Sequence, residues 1–453
     1  MSVGAWLRRN IAYPVWVARD RSPRLERYRY LKRTQYSTPA QLRAIQLDKL
    51  RQTLVNAWHN TDYYRAAFDA AGFDPRTFSS FDDLARVPIL EKEAVRTQAE
   101  SMRSKAHRDS PMSEFRTGGS TGKPVIVFRS SETIELSNAS ALRVFEWAGA
   151  EIGEPWGLVW GNPPEFVTLK QKLRNWLIDR EIYLDTMKLT EASMRAFCDV
   201  WSRVRPTMLR GHSHSIYIFA SFCLSAGITT VRPKGVISSS MMLLAPERAV
   251  IEKAFGCKVT DLYGCEEIGL IGCECEEHSG MHLDMENVYV EIVDPAGRPV
   301  PDGEQGAVVV TCLIADAFPF IRYRLGDIAS IRPEPCKCGR GLVVMNPVSG
   351  RVADFFVRPD GAVVAGVSLV ERTLTRFPGV AQMQMIQESL ERIVLKIVRA
   401  PEYDADTERG LVDELKASVG AREVLIDFVD AIPQEPNGKF RFAISRVRNP
   451  FSV

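Results

Sequence analysis

The 453-residue chain has no uninterrupted apolar run near the roughly 20 residues that cross a bilayer as a helix. Charge imbalance is also missing. Lys and Arg number 58 against 56 Asp and Glu, a formal net charge of +2, so nothing global asks for nucleic acid. Nine cysteines are too few, and odd in number, for a disulfide framework in a chain this long. There is no Gly-x-Ser-x-Gly nucleophile elbow, no Walker A loop, no internal repeat and no low-complexity tract. Residues 1–10 lack a sustained apolar core and a small-residue cleavage site, so they do not read as a signal peptide, and a reducing, cytoplasmic setting is expected. What remains is an apolar fraction of 45% and a charged fraction of 25%, which suit a folded protein of two or three domains.

The first 33 residues are rich in Arg and Lys, with Trp6, Tyr13, Trp16, Tyr28 and Tyr30 interleaved and only Asp20 and Glu26 opposing them. Two readings stand: an arm whose aromatics pack on the main body, or a peripheral contact with an anionic membrane surface. Helical spacing follows over 39–67, and again at 132–148, 190–204, 213–226 and 245–255. Short strands are expected at 125–128, 157–160, 235–238, 288–293 and 307–313. Alternating strands and helices imply an α/β fold with a largely parallel sheet. The Pro- and Gly-rich stretch 294–306 predicts a hairpin turn into an antiparallel portion. Beyond residue 350, strands at 355–357, 363–365, 393–397 and 424–428 and helices at 368–376 and 407–419 suit a small α+β domain. The boundary is placed at 350–354, giving domains 1–350 and 351–453.

The motif Thr117-Gly118-Gly119-Ser120-Thr121-Gly122-Lys123-Pro124 combines three glycines, which let backbone N–H groups approach an anion, with hydroxyl donors and a cation. Pro124 follows the lysine where a Walker A loop has Ser or Thr. Further motifs follow: Tyr263-Gly264-Cys265-Glu266-Glu267, Arg322-Tyr323-Arg324-Leu325-Gly326-Asp327, Gly350-Arg351-Val352-Ala353-Asp354 and Pro436-Asn437-Gly438-Lys439-Phe440-Arg441.

In this order the five motifs resemble those of the adenylate-forming superfamily of acyl-CoA ligases, luciferases and peptide-synthetase adenylation domains. The resemblance is nearest to the phenylacetate–CoA ligase group, with its CapK-like members and deazaflavin-coenzyme adenylylating synthetases. That narrower likeness rests on Asp62-Tyr63-Tyr64-Arg65, on Pro319-Phe320-Ile321-Arg322-Tyr323-Arg324 and on a cysteine cluster. It implies a large multi-sheet N-terminal domain and a small mobile α+β C-terminal domain. Residues 117–123 would hold the phosphates of ATP, Glu267 a magnesium ion and Asp327 the ribose hydroxyls. Ser239, Ser240, Tyr263 and Gly264 would border the adenine. Arg351 would contact the nucleotide next to the hinge, and Lys439 would serve the adenylation step. The chain departs from the pattern at Glu266, where Thr or Ser is usual, at Met241, where Glu is expected, and at Ala353, the place of a common hinge Asp.

Cys273-x-Cys275-x2-His278-x3-His282, with the later Cys336-x-Cys338, offers six candidates for a tetrahedral zinc site. Cys275, His282, Cys336 and Cys338 are favoured, because Gly280-Met281-His282 resembles the Gly-Leu-His of zinc-containing relatives. Such a closed site is structural. His212 and His214 read as lining of an acyl pocket or as catalytic groups, and Trp160-Gly161-Asn162-Pro163-Pro164 as a loop beside that pocket.

The function implied is an ATP-dependent, AMP-forming carboxylate ligase, with ATP, Mg²⁺, structural Zn²⁺ and a small carboxylic acid, and with CoA as acceptor. Alternatives are transfer to an amine or hydroxyl of a surface polysaccharide, adenylyl transfer, or a non-catalytic nucleotide-binding scaffold. No oligomeric state is dictated, though a dimer is compatible.

Overall fold

A computed structural model describes residues 3–117, 125–161, 168–348, 355–377, 379–432 and 442–447. The N-terminal helices begin where the sequence supplies caps. Thr38 and Gln41 form a reciprocal capping box, Pro39 occupies the first turn, and helix Pro39–Asn60 buries Leu42, Gln46, Leu50, Thr53, Leu54 and Ala57 on one face. Thr61 closes that helix and caps the next, Asp62–Ala70.

The central sheet has eight strands. Five are parallel, in the spatial order Glu181–Asp185, Trp156–Trp160, Met208–His212, Gly235–Ser239, Val259–Cys265. The chain then reverses, and Gly269–Glu274, Met281–Leu283 and Val344–Met345 extend the sheet antiparallel. A largely parallel sheet was therefore expected where a mixed one is found. Strands 208–212 and 259–265 carry little β-branched sequence. Neighbours on both sides set their conformation, which is why local propensity did not reveal them.

Val288–Val293, Gly306–Cys312 and Tyr323–Ala329 form a separate antiparallel sheet, with the expected turn between the first two. Helix Ser213–Ser225 is buried nearly all round, with apolar Ile216 to Ala220 and small serines spread over its faces. Toward the C-terminus, Glu423–Phe428, Arg392–Arg399, Val380–Gln387 and Ala443–Ser445 make a four-stranded sheet. Helices Gly366–Arg376 and Ala405–Val419 accompany it, the second capped by Asp404.

The basic arm is helical over Val3–Leu7, Arg8–Ala12 and Tyr13–Arg19, then over Arg24–Thr34. Tyr13, Val17, Tyr28 and Leu31 are buried, and Arg24 pairs with Glu135, Lys32 with Glu146 and Arg9 with Glu151. Trp6 stays exposed. Behind the arm lies an ion cluster that the sequence reading missed. Fully buried Arg143 pairs with Asp284 and Glu286, which Thr34 and Asn287 also bond. Among the described residues, no helix is long and apolar enough to cross a membrane.

Candidate active site

The parallel strands all end at one edge of the sheet, where ligands of α/β folds gather. The turn after Val259–Cys265 carries Glu266 and Glu267 there. It can form because Gly264 lacks a side chain: a Cβ would lie 2.4 Å from the carbonyl oxygen of Gly269.

Two tyrosine–carboxylate bonds cross between this hairpin and strand Tyr323–Ala329 of the other sheet. Tyr263 Oη donates to Asp327 Oδ2 at 2.8 Å, and Tyr323 Oη donates to Glu267 Oε1 at 2.9 Å. Each partner pair is four residues apart in its own segment, so two motifs separated by more than fifty residues are locked in register. Tyr64 steadies the second strand from outside: its hydroxyl donates to the Pro319 carbonyl and accepts from the Ile321 amide, both at 3.0 Å. The early Tyr-Tyr stretch and the Pro-Phe-Ile-Arg stretch thus meet. Arg322, at φ +49°, turns inward to Glu291 and to the Val87 and Gly297 carbonyls, while Arg324 reaches Glu91.

Glu267 is 8% exposed, and its carboxylate, steadied by Tyr323, is a hard oxygen donor of the kind that suits magnesium held between a carboxylate and phosphates. Burial raises the Glu266 carboxyl, with Arg129 pulling the other way. Ser239 ends its strand buried, with Oγ unpartnered among the described residues, and Ser240 adopts φ +69°. Of the nucleotide-binding residues expected, Gly118 to Lys123, Arg351 and Lys439 lie outside the described residues, as do Asn162, Pro163 and Pro164; Thr117 ends strand Met112–Thr117.

On strand Met208–His212, Arg210 and His212 share one face and alternate with Leu209, which enters the core. The Arg210 guanidinium lies over Phe145 and Trp160, at 5.1 and 5.6 Å from the ring centroids, and its Nε is buried without a partner. Burial lowers its pKa, and Glu181, Tyr183 and Glu266 oppose that. The His212 ring lies tilted against Trp160, centroids 4.0 Å apart, with both ring nitrogens buried and unpartnered. Burial, and then the Arg210 charge, push its pKa down to about 3, so it is neutral. His214 instead pairs with Glu247 and ties two helices together.

Cys275, His282, Cys336 and Cys338 come together, with ligand atoms all within 4.8 Å of one another. The Cys275 and Cys336 sulfurs are 3.7 Å apart, and Cys338 Sγ is 3.3 Å from His282 Nε2. Tetrahedral bonds of about 2.3 Å to sulfur give edges of about 3.8 Å, so three thiols and an imidazole fit zinc. Burial, with Arg340 second, pushes His282 down to about 4, which leaves it in the neutral, ligating form. Cys273 and His278, the latter against Glu274, fall outside this group.

Residues 356–446 match the family model of the CapK C-terminal domain. The chain is 26% identical to the phenylacetate-coenzyme A ligase of Thermus thermophilus, covering 83% of this chain and 85% of that protein. It is 23% identical to protein CapK of Staphylococcus aureus over 81% of each. The chain is thus similar in sequence to phenylacetate-coenzyme A ligases and to CapK. Its fold is that of a solved acyl-CoA ligase. A 2-hydroxyisobutyryl-CoA ligase in complex with 2-HIB-AMP and CoA superposes with a TM-score of 0.62, covering 92% of both chains at 20% identity. Sequence reasoning missed the bonds that Tyr263 and Tyr323 make, because a tyrosine hydroxyl buried beside a carboxylate has no local signature.

Proposed function

We propose that this protein is an ATP-dependent, AMP-forming carboxylate–CoA ligase. The crossed pair Tyr263–Asp327 and Tyr323–Glu267 carries the reading, because it fixes two carboxylates at the strand edge where a nucleotide would lie. In this scheme Asp327 accepts from the ribose hydroxyls and Glu267 holds magnesium, which would offset phosphate charge. Thr117 to Lys123 wrap the phosphates, and Ser239, Ser240, Tyr263 and Gly264 border the base. The substrate carboxylate attacks the α-phosphorus, pyrophosphate leaves, and an acyl–AMP anhydride forms. Lys439 meets the charge growing on the α-phosphate, so the barrier falls by positioning and electrostatics. The C-terminal domain beyond 350–354 pivots and opens a path for the acceptor thiol, with Arg351 beside the pivot. Cys275, His282, Cys336 and Cys338 hold zinc in a structural role.

The acyl group would rest against Arg210, His212 and Trp160. A guanidinium set between aromatic rings, with its Nε unpartnered, favours an acid whose far end is polar or anionic. The match of the C-terminal residues to CapK supports a second reading, in which an amine or hydroxyl replaces CoA as acceptor. ATP–pyrophosphate exchange measured across a panel of carboxylic acids, then repeated with CoA and with amine acceptors, separates the two. Exchange with no acid in the panel would oppose both.

A further inference from the structure

Two helical segments carry most of the exposed apolar surface. Val3, Leu7, Ile11 and Val15 recur at intervals of four, with Trp6 beside them, and all are exposed, Val3 by 78%. The second segment, Leu169–Arg174 continued by Asn175–Asp179, repeats the pattern with Leu169, Leu173 and Leu177, and adds Trp176 at 72% exposure. Nine of the sixteen large apolar side chains that stand exposed among the described residues fall on these two segments. A four-residue repeat drifts by about 40° per step on a regular α-helix. Both segments contain one wider, π-type stretch, Arg8–Ala12 and Asn175–Asp179, which offsets that drift and keeps each stripe in line.

The stripes belong to one surface. Tyr13 and Val17 of the first segment pack with Ile178 of the second, and the Arg174 guanidinium lies 5.6 Å from the centre of the Trp16 ring. The charged border is one-sided. Arg19, Arg21 and Lys172 are exposed, and Arg8 lies near enough to Arg180 that the second charge disfavours the first, after burial. Against these stand Asp20, and Asp179 and Glu151, which Arg174 and Arg9 already pair. Tryptophan and aliphatic side chains ringed by unpaired cations suit the boundary between acyl chains and anionic headgroups. A protein partner would more often meet such a border with carboxylates of its own.

We propose that these two segments form a bilayer-docking face selective for anionic lipid, which seats the protein on a membrane surface without crossing it. The test is flotation of the full chain with vesicles of phosphatidylcholine alone or mixed with phosphatidylglycerol. Binding is expected on the anionic vesicles, falling with added salt because surface charge is screened. Leu7→Glu with Trp176→Glu lowers it by tenfold or more with an unchanged melting temperature, since both side chains are exposed. Arg19→Gln with Lys172→Gln lowers it by about fivefold for each charge removed and leaves the apolar stripes intact. No binding to anionic vesicles at low salt overturns the proposal, as does binding that both double variants retain. A lipid-independent dimer in sedimentation, lost in the Glu variant and unaccompanied by vesicle binding, would assign the face to a second copy instead.

Discussion

Replacing Tyr323 by Phe removes one hydroxyl and leaves the ring. Tyr323 is fully buried, its ring packs against Phe320 at 5.2 Å, and its Oη donates to Glu267 Oε1 at 2.9 Å. A hydrogen bond to an ionised carboxylate contributes about 1.5–3 kcal/mol. If Glu267 holds magnesium, Tyr323 orients that ligand, and loss of such an orienting partner typically weakens metal binding by about 10- to 100-fold. A factor of 10 to 100 corresponds to about 1.4–2.8 kcal/mol, so the two routes agree. The assay is ATP–pyrophosphate exchange as a function of magnesium concentration. The half-saturating magnesium concentration rises by about 10- to 100-fold, and the rate recovers when the ion is in excess. An unchanged magnesium curve would refute the argument. So would a lower rate at every concentration with the same midpoint, because that pattern places Tyr323 outside the control of Glu267.

Cys336→Ser is expected to reduce bound zinc from about one per chain to none and to lower the melting temperature, with the acid preference retained; elemental analysis and thermal melts check both. Lys439→Ala lowers adenylation by at least about 10²-fold while ATP still binds, as exchange kinetics and calorimetry would show. Arg143→Met strands Asp284 and Glu286 in the interior and costs about 3–5 kcal/mol at neutral pH. Burial already raises Asp284. Without the arginine, the Asp284 folded-state pKa lies further above its unfolded value, so the deficit grows as pH rises through that window. Urea melts of the variant at neutral pH and near about pH 5 should show the smaller loss at the lower pH.

Helix Ala245–Phe255 was legible to the residue, because Pro246 and Glu247 mark its first turn and Gly256, at φ +72°, its end. Strands Val288–Val293 and Gly306–Cys312 were legible from their apolar runs and the Pro- and Gly-rich turn between them. Glu181–Asp185 was not, since its conformation depends on pairing with Trp156–Trp160. The Arg143 cluster had a faint signal, Asp284 and Glu286 inside an otherwise apolar stretch, but the arginine that neutralises them is over a hundred residues away. The convergence of Cys275, His282, Cys336 and Cys338 depends on the pairing of Val344–Met345 with Met281–Leu283, and two-residue strands carry no periodicity. Resemblance selected those four from six candidates; spacing alone could not.

On the proposed reading, the same hairpin gives the Cys275, His282, Cys336 and Cys338 cluster and the strand-edge carboxylates different roles. Glu267 sits in the turn that begins strand Gly269–Glu274, and Cys275 follows directly where that strand ends. Six extended residues at about 3.3 Å each put the two ends roughly 20 Å apart. The cluster therefore cannot share a reacting atom with Glu267. It fastens the far end of the strand to Met281–Leu283 and to the loop carrying Cys336 and Cys338, while Tyr323 fixes the near end. Without that anchor, the antiparallel half of the sheet keeps only short pairings: three register pairs hold Met281–Leu283 and two hold Val344–Met345. Metal loss should then loosen the sheet from its antiparallel edge inward. It would reach the Glu267 turn last, through the four register pairs between Gly269–Glu274 and Val259–Cys265. Hydrogen exchange in chelator-treated protein would show protection lost first at residues 281–283 and 344–345. Simultaneous loss at 262–267 would mean that the cluster supports the active site directly.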